Sequence, residues 1–203
     1  MFYNVELARP TASPLERRRT VRITILNGEP DAGSVFDAYL GEYLAQLVAA
    51  GNDVTRLDLR DLDLKGCSGC WGCWVKTPGE CVKRDDSARI CRSVITSDLT
   101  VLASPMRMGF TTSLLKRAAD QMIPLIHPFL VIDDGEMHHR ARYAHYPLLG
   151  LLLAPDDTAD AEDIEITRHM WARMAHNMKS TLVFTTIANV PAKEAADELA
   201  AVA

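Results

Sequence analysis

Residues 21–34, VRITILNGEPDAGS, the stretch VFDAYLGEYLAQLVAA at 35–50 and the run DVTRLDL at 53–59 decide the fold. VRITIL is a continuous apolar run of strand length, as expected of a strand covered on both faces. The Gly/Pro loop NGEPDAGS ends it. Phe36, Tyr39, Leu40, Leu44, Leu47 and Val48 then recur at helical spacing, and Gly51 stops the helix. Val54, Leu57 and Leu59 mark a second strand. The alternation continues, with a helix from Asp85-Asp86 to about Ser97, a strand at Leu99–Ala103 and a loop and helix from Ser104. A strand at Leu148–Ala154, a helix over Glu162–Met178, a strand at Leu182–Ile187 and a last helix from Pro191 complete it. Five strands alternating with helices predict an α/β doubly wound five-stranded parallel sheet in the order 2-1-3-4-5, with helices on both faces. Ligands of such sheets bind at the carboxyl ends of the strands, here at loops 27–34, 60–84 and 104–112.

The 203 residues suit one domain with a full core. Residues 1–19 read as an N-terminal arm ending in the basic patch Arg17–Arg19, and 20–203 as the domain. A net charge of −5 argues against a nucleic-acid surface. No apolar run reaches the roughly 18 residues of a membrane span, and the start lacks a secretory core, so a cytoplasmic location is expected. Asp85-Asp86 is read as a helix cap. Met170, Trp171, Met174 and Met178 are read as one core stripe.

The chemistry is concentrated in CSGCWGCWVKTPGEC, residues 67–81. Cys67, Cys70, Cys73 and Cys81 follow the spacing C-x2-C-x2-C-x7-C. Three cysteines at steps of three can turn their sulfurs toward one point, and a fourth on a short tether can close a four-thiolate cage. Such a cage holds an iron–sulfur cluster or zinc. The overlapping triple favours iron–sulfur, because zinc sites more often use two separated knuckles. The alternatives are a loop of free thiols or a redox disulfide. Trp71 and Trp74 could shield a cluster, and Lys76 and Lys83 could offset its charge. Cys91 lies in a helical pattern and reads as a small core residue.

These residues together resemble the flavodoxin-like NAD(P)H-dependent FMN oxidoreductases, and within them the iron–sulfur flavoprotein branch. The resemblance covers about residues 20–190. It rests on the Asn27-Gly28 loop, the cysteine run, the Asp85-Asp86 pair, and Ser104-Pro105 followed by Gly109, Ser113, Leu115 and Lys116. It implies an FMN-dependent oxidoreductase, with a [4Fe-4S] cluster beside the flavin and NAD(P)H or a ferredoxin-like protein as donor. The FMN phosphate would lie on Asn27, Gly28, Gly33, Ser34 and Val35. The ring would lie on Ser104, Pro105, Met106, Arg107, Met108, Gly109 and Phe110. A homodimer or homotetramer is implied, with contacts at 104–110 and at the insert 127–146.

The chain departs from the family pattern at two places. Gly28-Glu29-Pro30-Asp31 stands where the family usually reads Gly-Ser-Pro-Arg, so two carboxylates replace a hydroxyl and a cation. Asp120-Gln121 stands where members often have Asp-Arg. The insert carries His138, His139 and Tyr143 as candidate catalytic groups, with Glu136 beside them. Histidine moves protons near neutral pH, and two histidines with a glutamate could also bind a metal. The plain alternative for the insert is a polar hairpin at a subunit interface. Two further readings stay open: a quinone- or nitro-type FMN reductase whose cysteines bind zinc or nothing, and a flavin-free interaction module, which the acidic first loop would favour.

Overall fold

The structure is a computed structural model and describes residues 20–201. The expected arm at 1–19 lies outside the described residues. Five parallel strands form the central sheet: β1 (Arg22–Asn27), β2 (Asp53–Asp58), β3 (Leu99–Arg107), β7 (Leu148–Ala154) and β8 (Leu182–Ile187). Their order is β2-β1-β3-β7-β8, the order expected. A short strand β4 (Phe110–Thr111) turns back antiparallel on the end of β3. The hairpin of β5 (Ile126–Asp133) and β6 (Glu136–Ala141) forms a separate two-stranded sheet.

The two faces follow from the two-residue period of the strands. Ile23, Ile25, Leu99, Val101 and Leu152 point to one side. They pack there with Phe36, Leu40, Tyr43 and Leu47 of α1 (Val35–Ala49) and the alanine face of α6 (Ala192–Ala200). Leu26, Leu102, Met106, Leu151 and Leu153 point to the other. They meet α3 (Ser87–Thr96), α4 (Ser113–Asp120) and α5 (Ala161–Asn177). A single helical turn, α2 (Gly72–Val75), lies within the cysteine loop. Trp171 and Met178 lie in the second core and Met174 packs against it, whereas Met170, one step round the helix, is 52% exposed.

Two features differ from the sequence reading. β3 runs four residues past the expected end, because β7 pairs with Ser104 and Pro105 and β4 with Met106 and Arg107. Asp86 stands at the N-cap of α3 without a side-chain cap bond. Asp85 takes that role, its Oδ1 accepting the Ser87 amide at 3.0 Å.

Gly150 in β7 admits the Phe184 ring of β8, and a methyl group at 150 would overlap it. Overpacking of this kind costs about 1–3 kcal/mol. Gly150→Ala is expected to lower the urea midpoint accordingly, and Phe184→Leu in the same chain to recover part of the loss. An unchanged midpoint for Gly150→Ala would contradict this packing.

Candidate functional site

The first loop is organised by Asn27, fully buried at the end of β1. Its Nδ2 donates to Asp58 Oδ1 at 2.6 Å and to Asp37 Oδ1 at 3.2 Å, and its Oδ1 accepts the Glu29 amide at 2.9 Å. Arg56 and Arg60 complete the cluster. Both bond Asp37 Oδ1, the Arg60 contact being 3.0 Å, and both pair with Asp58. Burial pushes the Asp37 carboxyl up, but the Gly33 amide and the two guanidiniums outweigh it and hold the group below its ordinary value. Sequence reasoning misses this cluster, because its charged residues lie on three different elements and share no motif. Arg56 and Asp58 belong to β2, Asp37 to the first turn of α1, and Arg60 to a 3-10 turn at Leu59–Asp61.

The expected phosphate residues are brought together, but most already have partners. Gly33, left-handed at φ 77°, donates its amide to Asp37 Oδ2 at 3.1 Å. The Ser34 hydroxyl caps α1 by accepting the Asp37 amide at 3.1 Å. Val35 is 90% exposed at the start of the helix, where first-turn amides have no intrahelical partner. Gly28 joins this loop to β3. Its amide donates to Ala103 O at 2.8 Å, and its carbonyl accepts from Thr112 Oγ1 at 2.6 Å. A Cβ there would sit 2.9 Å from Leu115 Cβ, so only glycine allows the approach. Glu29, one of the two carboxylates that depart from the family pattern, is buried, and its Oε1 accepts the Asp31 amide at 2.9 Å. The loop therefore holds an oxyanion of its own, and its donors suit such a group.

The second loop distributes the expected ring-bed residues between strand, core and exposed tip. Ser104, Pro105 and Met106 are strand residues and buried. Met106 fills the core, and Ser104 Oγ accepts the Thr112 amide at 3.0 Å. Phe110 stacks on Trp171 at 6.5 Å between centroids. Gly109 is held by α5, its carbonyl accepting from Thr167 Oγ1 at 3.2 Å. What remains at the tip is exposed Arg107 and Met108, the latter left-handed at φ 53°. The exposed Met108 at this tip offers apolar surface beside the first loop.

The cysteine loop is pinned at both ends. Asp63 N donates to Asp86 Oδ2 at 2.8 Å and Lys65 N to Asp85 Oδ2 at 3.0 Å. Gln121 bonds Lys65 O, and Arg117 bonds Leu64 O at 3.1 Å. Cys67, Cys70, Cys73 and Cys81 line one pocket with Lys83, Gln121 and Pro124. The Gly72 amide, the Ser68 hydroxyl and Lys83 draw the Cys70 thiol down, whereas burial pushes Cys73 up. Burial takes Cys91 up to about 12, as suits a core thiol. The donor set suits a thiophilic metal or cluster.

The hairpin separates the two histidines, since neighbours in a strand face opposite ways. His138 is buried against α5. Its ring nitrogens lie 3.0 Å from Asn177 Oδ1 and 3.0 Å from Glu136 Oε2, with His176 edge-on at 4.2 Å. Ligand atoms of Glu136, His138 and His176 lie within 4.8 Å of one another, so His176 takes the place expected of His139 in a metal-ligand group. His139 faces the cysteine loop. Its ring is 4.7 Å from Trp74, which stacks on Trp71 at 4.8 Å, and its Nδ1 is buried without a hydrogen-bond partner. Tyr143 is in neither group; it lines a cavity with Cys81 and Cys91.

Comparison with known proteins bears on this geometry. A family model described as NADPH-dependent FMN reductase matches residues 21–147. An iron-sulfur flavoprotein of Archaeoglobus fulgidus is 35% identical over 97 residues, which are 48% of this chain and 41% of that protein. The match thus spans less than half of that relative's length. Two solved structures share the fold. The NAD(P)H:quinone oxidoreductase of Methanothermobacter marburgensis has a TM-score of 0.62 and 15% identity, over 89% of this chain and 100% of that one. An FMN-dependent NADH-azoreductase from Bacillus anthracis, in complex with FMN, has a TM-score of 0.61 and 14% identity, with the same coverage. On the family match, which spans more than half its length, the chain belongs to the NADPH-dependent FMN reductase family.

Proposed function

We propose that the protein is an FMN-dependent oxidoreductase, cytoplasmic and homo-oligomeric, whose four cysteines hold a [4Fe-4S] cluster beside the flavin. NAD(P)H or a ferredoxin-like protein is the donor, and a small molecule or protein the acceptor. The observation that carries the reading is the joining of two loops into one rim. Through Gly28, Ala103 and Thr112, the loop after β1 and the exposed turn after β3 are fixed together at the carboxyl end of the sheet. That end is where parallel α/β sheets bind ligands. The likeness to the Archaeoglobus iron-sulfur flavoprotein supports the cluster.

Bound flavin supplies acceptance of a hydride or an electron pair and release of single electrons. The chain's own residues bind and shield it. Ser34, Val35 and the amides of loop 28–34 take the phosphate, and Arg107, Met108 and the Gly109 backbone support the ring. The Trp71–Trp74 stack packs beside the cysteines, and Cys67, Cys70, Cys73 and Cys81 are the metal ligands. His139, with its unbonded Nδ1, holds the proton that turnover requires, and His138 latches the hairpin to α5.

A second reading, a cluster-free reductase with zinc or free thiols, is favoured by one observation. Among the described residues, the group with three ligand atoms mutually within 4.8 Å is Glu136, His138 and His176, not the cysteines. Iron, sulfide, zinc and flavin assayed on anaerobically purified protein separate the two. About four irons and one FMN per chain are expected, with iron lost in Cys70→Ser. FMN with zinc or no metal would establish the second reading, and absence of flavin would overturn both.

In the reduced, metal-free protein, iodoacetamide is expected to label Cys70 first and Cys91 last, followed by mass spectrometry over time. Early labelling of Cys91 would contradict its burial. His139→Ala is expected to slow turnover while keeping flavin and stability. His138→Ala is expected to cost roughly 2–4 kcal/mol of stability, through two lost hydrogen bonds and a buried void. Thermal unfolding and steady-state rates read the two effects apart, and the reverse pattern would exchange the two roles.

A further inference from the structure

Glu29 is 1% exposed, and its Oε1 accepts the Asp31 amide at 2.9 Å. Side-chain oxygens engage two other amides of the turn as well. Glu29 N donates to Asn27 Oδ1 at 2.9 Å, and Gly33 N to Asp37 Oδ2 at 3.1 Å. The two guanidiniums beside the loop are also committed. Arg56 bonds Asp37 and Asp58, and Arg60 bonds the same pair and the Glu29 carbonyl. Four carboxylates, those of Glu29, Asp31, Asp37 and Asp58, thus stand against two cations. A phosphate entering here competes with carboxylates for the Asp31 and Gly33 amides and meets an excess of negative charge. A flavin without phosphate meets neither obstacle.

We propose that Glu29 determines flavin specificity: its carboxylate competes with the phosphate of FMN for the donors of loop 28–34, so that the protein binds FMN little better than riboflavin. The inference rests on the flavin reading above. A phosphate that takes the Asp31 amide must first open the Glu29–Asp31 bond. The neutral end of the riboflavin chain leaves that bond intact.

Fluorescence titration of full-length protein, stripped of flavin, with FMN and with riboflavin tests this. Wild-type affinities for the two flavins are expected to agree within about tenfold, because a charged hydrogen-bonding group gains little where a built-in competitor holds its donor. Glu29→Gln keeps the side chain's shape and removes its charge, and Glu29→Ser removes the competing group. Each is expected to tighten FMN about tenfold or more while moving riboflavin less than about twofold. The wild-type comparison stands even where a variant fails to fold. A strong wild-type preference for FMN would overturn the proposal. So would an unchanged FMN-to-riboflavin ratio in both variants, leaving Glu29 a turn-former only. If neither the wild type nor the variants bind either flavin, the flavin reading itself fails and takes this inference with it.

Discussion

The buried amide of Asn27 is the constraint on which the ligand edge depends. It sits where β1 ends, so its polar atoms must be satisfied inside the protein. It reaches Asp58 at the end of β2, Asp37 in the first turn of α1 and the backbone of the next loop. One side chain thereby fixes the relative positions of two strand ends and a helix start. Arg56 and Arg60 follow from it, since two aspartates gathered around one amide need cations. The path of loop 28–34, and with it the place of Glu29, is set by this cluster.

The fold was legible because its signals are local and repeated. The apolar runs of β1 and β7, helical spacing in α1 and Gly51 each act within a few residues, and they agree with one another. The end of β3 is not legible, because Ser104-Pro105-Met106 reads as a loop until β7 pairs with Ser104 and Pro105 and β4 with Met106 and Arg107. The gathering of Cys67, Cys70, Cys73 and Cys81 at one pocket is legible from their spacing. The Asn27 cluster was not, because Asp37, Arg56, Asp58 and Arg60 carry no motif and meet only through the β1–β2 pairing. The acidic pair Glu29 and Asp31 stood out by its chemistry, but the inward path of Glu29 required the folded loop.

The insert shows how far side-chain type can mislead. Two adjacent histidines suggest a shared task, yet the strand sends them to opposite faces. The face that holds His139 continues into Trp74 and Trp71, while the face that holds His138 belongs to α5. Hairpin and cysteine loop are therefore one unit. Trp74 Nε1 donates to Ile126 O at 2.9 Å, and the Arg142 guanidinium donates to Pro124 O at 2.9 Å.

The closure of the cysteine loop on itself has an evolutionary consequence. Asp63 and Asp86 exchange two bonds, the Asp86 amide returning to Asp63 O at 3.0 Å, and Lys65 meets Asp85 just inside them. The segment between is an excursion whose two ends are already joined. Lengthening a closed loop costs little, rising only with the logarithm of its length. Residues 66–83 can thus vary in length at little cost to the sheet, provided that Trp74 keeps its bond to Ile126 O. A lineage could gain, reshape or discard its thiolates there while the sheet and its core stay as they are.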